Sequence, residues 1–138
     1  MEGLPCWERG TVGVLCAVGP HPIPISTALR VAADRLVLAL GGRREALSRL
    51  REDPAAAFCL LGEGLAFTAH GRAAVLRDPL ECAPRVAGIE LRVERVQDHL
   101  ADGRTEMLSG ARWRWRDEGA AAADAMIQAE LERLARDR

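Results

Sequence analysis

The sequence predicts a mainly β fold with flanking helices, a six- or seven-stranded antiparallel split β-barrel. Three observations carry this. Short apolar runs recur between glycine and proline breaks, two segments alternate apolar and charged residues with period two, and helical periodicity is confined to one central stretch and the C-terminal end. That order of elements suits a closed or split barrel better than layered α/β architecture. Residues 1–138 read as one domain, with a lead-in over 1–10, the barrel over 11–116 and a helix over 119–136.

Taken in order, "TVGVLCAVG" (11–19) is a β-branched run stopped by Gly19-Pro20, too short for a core helix and therefore a buried strand. In "PHPIPISTALRV" the prolines at 20, 22 and 24 cannot donate to a ladder, so the first half is an edge and residues 25–31 are the paired part. "AADR" turns the chain and "LVLALG" (36–41) completes a meander. Residues 43–53 place Ala46, Leu47 and Leu50 on one helical face, and the helix stops at Asp53-Pro54 because the residue before proline avoids the helical region.

"AAAFCLLGEG" and "LAFTAHGRAAVL" form a hairpin about Gly62-Glu63-Gly64. Asp78-Pro79 reads as a cap and first helical position, opening a short helical turn through Val86. "GIELRVER" alternates Ile89, Leu91 and Val93 with Glu90, Arg92 and Glu94, a half-exposed strand, and the later parity change at Val96 implies a bulge near Arg95. "EMLSGARWRWR" (106–116) alternates as well, with Ala111, Trp113 and Trp115 on one face and Arg112, Arg114 and Arg116 on the other. Those arginines are expected to pair across strands with Glu90 and Glu94. Met126, Ile127, Leu131 and Leu134 then mark the apolar face of the last helix.

At 138 residues the chain buries roughly two thirds of its unfolded surface, enough for a core without a metal or disulfide. A net charge of −1 argues against binding nucleic acid over the whole surface, since that affinity comes from many neutralised phosphates. All 19 basic residues are arginine, so Schiff-base chemistry is excluded and anion contacts are planar and bidentate. Cys6, Cys16, Cys59 and Cys82 have no zinc-pair spacing, and Cys16 and Cys59 sit in apolar runs as core cysteines do; a reduced, cytoplasmic chain is expected. No apolar run approaches the length that spans a bilayer.

The richest local pattern is the junction "LALGGRREALSRL": strand, two glycines, two arginines, helix. A helix start presents unpaired N–H groups and partial positive charge, so with Arg43 and Arg44 it suits a phosphomonoester; otherwise the glycines only turn the chain and the arginines stay solvated. Ser26 and Thr27 are hydroxyls in a strand next to that junction, able to bond a ligand or neighbouring backbone, and Arg30 adds a cation. His21, His70 and His99 share no ligand spacing, so no metal site is expected; His70 is a candidate donor to a ligand or a surface imidazole. Trp113 and Trp115 suit a stacking platform or, more commonly, an end plug or subunit contact. No serine has a G-x-S-x-G setting and no cysteine a basic neighbour, so no residue is marked as catalytic.

The order of elements, with "LSRLREDPAAAFCLL" and "AHGRAAVL", resembles the flavin-binding split barrel of the pyridoxamine 5'-phosphate oxidase-like family over about residues 11–76. The resemblance implies a homodimer with FMN, or in some branches a deazaflavin or haem, in grooves between subunits, and hydride chemistry on a small-molecule substrate. Members hold the flavin phosphate with a pattern like L-G-S-R-K. Anchored on Leu40 and Gly41, "LGGRR" puts Arg43 and Arg44 at the phosphate; counting back from Pro54 without gaps puts Glu45 and Ala46 there. The implied cofactor contacts are Arg43, Arg44, Arg30, Ser26 and Thr27, the last two in the stretch that passes the isoalloxazine ring.

Overall fold

The computed structural model describes residues 1–137. Its elements are β1 (Gly13–Ala17), β2 (His21–Ile25), β3 (Leu29–Ala32), β4 (Arg35–Gly41), α1 (Glu45–Glu52), β5 (Ala55–Gly62), β6 (Leu65–Arg77), β7 (Val86–Asp98) and α2 (Glu118–Arg136). All seven strands lie in one sheet in the order β2-β1-β5-β6-β7-β4-β3, and every neighbouring pair is antiparallel. The two borders, β2 and β3, are consecutive in the chain and separated only by residues 26–28, so the sheet must curl until its ends meet. The split barrel follows from that connectivity. Thr27 stands in the gap, where its Oγ1 accepts the Ala39 N–H at 3.1 Å.

Inside the curl, Leu15, Ile25, Leu36, Leu38, Leu40, Phe58, Leu60, Phe67, Ile89 and Leu91 make the main core, joined by Ala46, Leu47 and Leu50 of α1. A second core lies outside the barrel, where Leu131 and Ala135 of α2 cover Leu29, Val37 and Leu80. Strand β4 is apolar on both faces because both are covered, which is why "LVLAL" runs without alternation.

Several expectations change. The prolines do lie on an edge, but as part of β2, with Pro22 opposite Cys16 and Pro24 opposite Val14; the stretch 25–31 is broken at 26–28 rather than paired throughout. Residues 106–116 form no strand, because β7 is already paired on both edges, to β4 and β6. That segment instead lies along the β5–β6 turn, with Gly64 N–H donating to Met107 O at 2.8 Å and Trp113 Nε1 donating to Gly10 O at 2.7 Å. Its arginines do not reach Glu90 or Glu94. Seven strands are present all the same, since one expected strand is two and another is none.

The 78–86 loop is not helical either: Glu130 of α2 takes the Glu81 and Cys82 N–H groups at 2.7 and 2.9 Å. Glu90 is fully buried rather than solvent-facing, since α2 covers that face of β7. Its Oε2 accepts from Arg35 Nε and Nη2 at 3.0 and 2.6 Å, and its Oε1 accepts from Arg92 Nε at 3.1 Å. Burial pushes the Glu90 carboxyl up, but the two guanidiniums outweigh it and hold the group below the ordinary glutamate range. Glu130 behaves alike: burial raises it and the Cys82 and Glu81 amides prevail. Arg35 Nη2 also donates to Ala135 O at 3.2 Å, so the Glu90 cluster ties α2 to the barrel.

Other details follow the sequence more closely. Asp117 caps α2 by accepting the Gly119 N–H at 3.0 Å. The hairpin turns at Gly62–Gly64, with Gly64 at φ 69°, and the expected bulge falls at Glu94, where His70 faces Arg95 and Gly71 faces Val93. Met126 is exposed, and Cys16 and Cys59 are half-buried on the outer face of β1 and β5 rather than in the core. The lead-in has no regular element but is docked: Leu4 is buried, its N–H donates to Ala33 O at 2.7 Å, and Trp7 packs on Phe58 and Phe67.

Candidate functional site

β4 ends at Gly41, and the chain reverses through residues 41–44 into α1. Arg44 N–H donates to Gly41 O at 3.0 Å, closing the turn, and Gly42 N–H donates to Arg85 O at 2.7 Å, which fastens the 78–86 loop against the glycines. Neither glycine adopts a positive φ. A Cβ at Gly41 would stand 3.3 Å from Arg44 Cγ, close enough that the arginine stem would have to shift slightly. Arg44 is the N-cap residue of α1 with extended backbone, and since a guanidinium has no acceptor the first N–H groups of the helix take no side-chain cap from it.

A groove of about 590 Å³ opens at this reversal, lined by Gly41, Gly42, Arg43, Arg44, Arg85 and Asp78. Asp78 is engaged by Arg51. Among the described residues the guanidiniums of Arg43, Arg44 and Arg85 have no hydrogen-bond or ion-pair partner. Three unneutralised planar cations beside the start of a helix form a donor set for a phosphate-sized anion. Arg85 was not legible in the sequence: it lies 41 residues beyond Arg44, and the β4–β7 pairing of Gly41 with Val86, extended by the Gly42–Arg85 backbone bond, brings it here.

The gapless register would instead call on Glu45 and Ala46. Ala46 is fully buried, and Glu45 is held by Arg49 at 2.7 Å with His21 Nδ1 at 3.3 Å. The hydrogen bond from Arg49, its charge and His21 keep the Glu45 carboxyl below its ordinary range. The cations at the helix mouth are Arg43 and Arg44.

The other candidates lie apart. Thr27 Oγ1 is occupied by Ala39 N–H, two residues before Gly41 on β4, and Ser26 is half-buried beside it. Arg30 lines a different cavity, with its Nε donating to Leu4 O at 2.9 Å. His70 Nε2 lies 2.6 Å from Gln97 Oε1 on the outer face of β6, and His99 Nε2 lies 2.7 Å from Thr68 Oγ1. Trp113 and Trp115 meet edge to face at 5.2 Å, both partly exposed. No group of three or more metal-ligating side chains occurs among the described residues, and no helix there is long and apolar enough to cross a membrane.

Neither a family model nor a curated protein sequence matches the chain. Solved structures do. A protein from Listeria innocua named as a candidate pyridoxamine 5'-phosphate oxidase is 19% identical, with 64% of this chain and 88% of that one covered at a TM-score of 0.54. An F420 reductase is 14% identical, with 65% and 91% covered at 0.57. HupZ of Group A Streptococcus is 10% identical, with 74% and 90% covered at 0.55. The fold is the pyridoxamine 5'-phosphate oxidase-like split barrel. At these identities the likeness is one of fold, and the split barrel's chemistry has to be argued from its own groove.

Proposed function

We propose that this split barrel binds FMN by its phosphate at Arg43, Arg44 and Arg85 and acts as a flavin-dependent oxidoreductase on a small-molecule substrate, as a cytoplasmic homodimer. The observation that carries this reading is that three guanidiniums without acidic partners line one groove at the mouth of α1. A bound flavin supplies hydride exchange at its isoalloxazine ring. The chain's part is to neutralise the phosphate, with the Gly42–Arg85 bond fixing the distance between the two arms of the groove. Ser26 and Thr27, at the barrel seam beside β4, are the hydroxyls proposed for the remainder of the cofactor. The likeness to an F420 reductase supports a second reading, a phosphate-bearing deazaflavin in the same grip. In a third, the barrel binds haem or another small anionic ligand without turnover.

The absorption spectrum of the purified protein separates these, by flavin bands, a deazaflavin band or a Soret band. If the protein is colourless, FMN and a deazaflavin are titrated while thermal stability is followed, since ligand at a hundredfold excess over Kd adds about 2.7 kcal/mol. Each charge-assisted contact contributes about 1.5–3 kcal/mol, so Arg43→Ala, Arg44→Ala and Arg85→Ala should each weaken FMN by roughly tenfold to a hundredfold. Equal affinity in all three variants would refute the phosphate grip.

A further inference from the structure

We infer that a second cavity, between the N-terminal segment, β3 and the end of α2, binds a small organic carboxylate with an aromatic or branched apolar body. The cavity measures about 460 Å³, within the range of small-ligand pockets. Four arginines and one carboxylate line it. Two arginines are already satisfied: Arg9 by Glu132 at 2.5 Å, and Arg35 by the buried Glu90 at 2.6 Å. Arg30 and Arg136 remain, with no ion-pair partner among the described residues.

Arg30 is held by its inner nitrogen, Nε donating to Leu4 O at 2.9 Å, which leaves both terminal nitrogens for a ligand. That fork matches a carboxylate in bidentate geometry. Leu29, Val31 and Trp7 add apolar surface to the same lining. The indole is fixed in place, as its Nε1 donates to Ala28 O at 3.0 Å and its ring packs on Phe67 at 5.7 Å between centroids. A cavity that offers both an anchored guanidinium and an anchored indole favours an acid with a hydrocarbon body over a fully hydrated inorganic anion. This inference does not depend on the flavin reading, because the two cavities share no lining residue.

The test is calorimetric titration of the full chain with benzoate and, separately, with inorganic phosphate. Benzoate should bind, and Arg136→Ala and Arg30→Gln should each weaken it at least about tenfold, the loss expected for one charge-assisted contact. Phosphate should bind at least about tenfold more weakly, for want of the apolar contacts. Arg136 is exposed on the last turn of α2, so Arg136→Ala decides the matter even if Arg30→Gln disturbs the lead-in. Arg136→Ala should leave FMN affinity unchanged, so failure at one cavity is distinguishable from failure at the other. Absence of benzoate binding at millimolar concentration, full affinity in Arg136→Ala, or phosphate binding as tightly as benzoate would each overturn the inference.

Discussion

Replacing Glu90 by glutamine keeps the volume and the acceptor oxygen but removes a charge that is wholly buried. Arg35, with 19% of its side chain exposed, then loses its counterion and keeps only neutral acceptors, the glutamine oxygen and the Ala135 carbonyl. Breaking a buried pair on one side costs about 3–5 kcal/mol, and the residual exposure of Arg35 places the change at the low end. Arg92 is 65% exposed and adds little. A loss of about 3 kcal/mol lowers the midpoint of a chain this size by roughly 10 °C. The assay is urea unfolding followed by circular dichroism at pH 7 and at pH 3. The folded carboxyl titrates below its unfolded value, so its contribution is present above about pH 4.5 and is lost as pH falls through the folded pKa. The gap between wild type and Glu90→Gln should therefore be full at pH 7 and narrow at pH 3. The double variant Glu90→Gln/Arg35→Met should recover part of the loss, since no unpaired charge remains. A gap under about 1 kcal/mol at pH 7, or one unchanged at pH 3, would show that the cluster does not hold the helix.

Three further outcomes are expected. Gly71→Ala should cost about 3 kcal/mol in urea unfolding, the upper end of overpacking, because its Cβ would stand 1.9 Å from the Arg92 carbonyl oxygen at the β6–β7 bulge. Asp117→Ala, which removes the cap on α2, should cost about 1 kcal/mol and lower helical ellipticity, and an unchanged midpoint would mean the cap is idle. Trp113→Phe removes the bond to Gly10 O at an exposed site, so stability should fall by less than about 1 kcal/mol while limited proteolysis within residues 106–116 accelerates.

Most of the barrel was legible because its signals are local. Glycine and proline punctuation marked β1, β4 and the β5–β6 hairpin, and the parity change at Val96 marked the bulge now seen at Glu94. What was not legible depends on what covers a face. The alternation of Glu90 with Ile89 and Leu91 reads as solvent exposure until α2 is laid over it, and "ARWRWR" reads as a partner of β7 until both edges of β7 are seen to be taken. For the groove, Arg43 and Arg44 were visible as a dipeptide after two glycines, whereas Arg85 comes from a loop positioned by the β4–β7 pairing, the Gly42–Arg85 bond and Glu130. Arg30, which the family resemblance sets beside them, lines the other cavity from β3.

Because the two borders of the sheet are successive strands joined by residues 26–28, no continuous ladder zips the barrel shut there. Pro22 and Pro24 remove two amides from one lip, and on the other the Thr27 hydroxyl, not a main-chain group, receives Ala39 N–H. Hydrogen–deuterium exchange should accordingly begin along β2 and β3 and reach β6 and β7 last, so that this lip is where the closed wall first breathes.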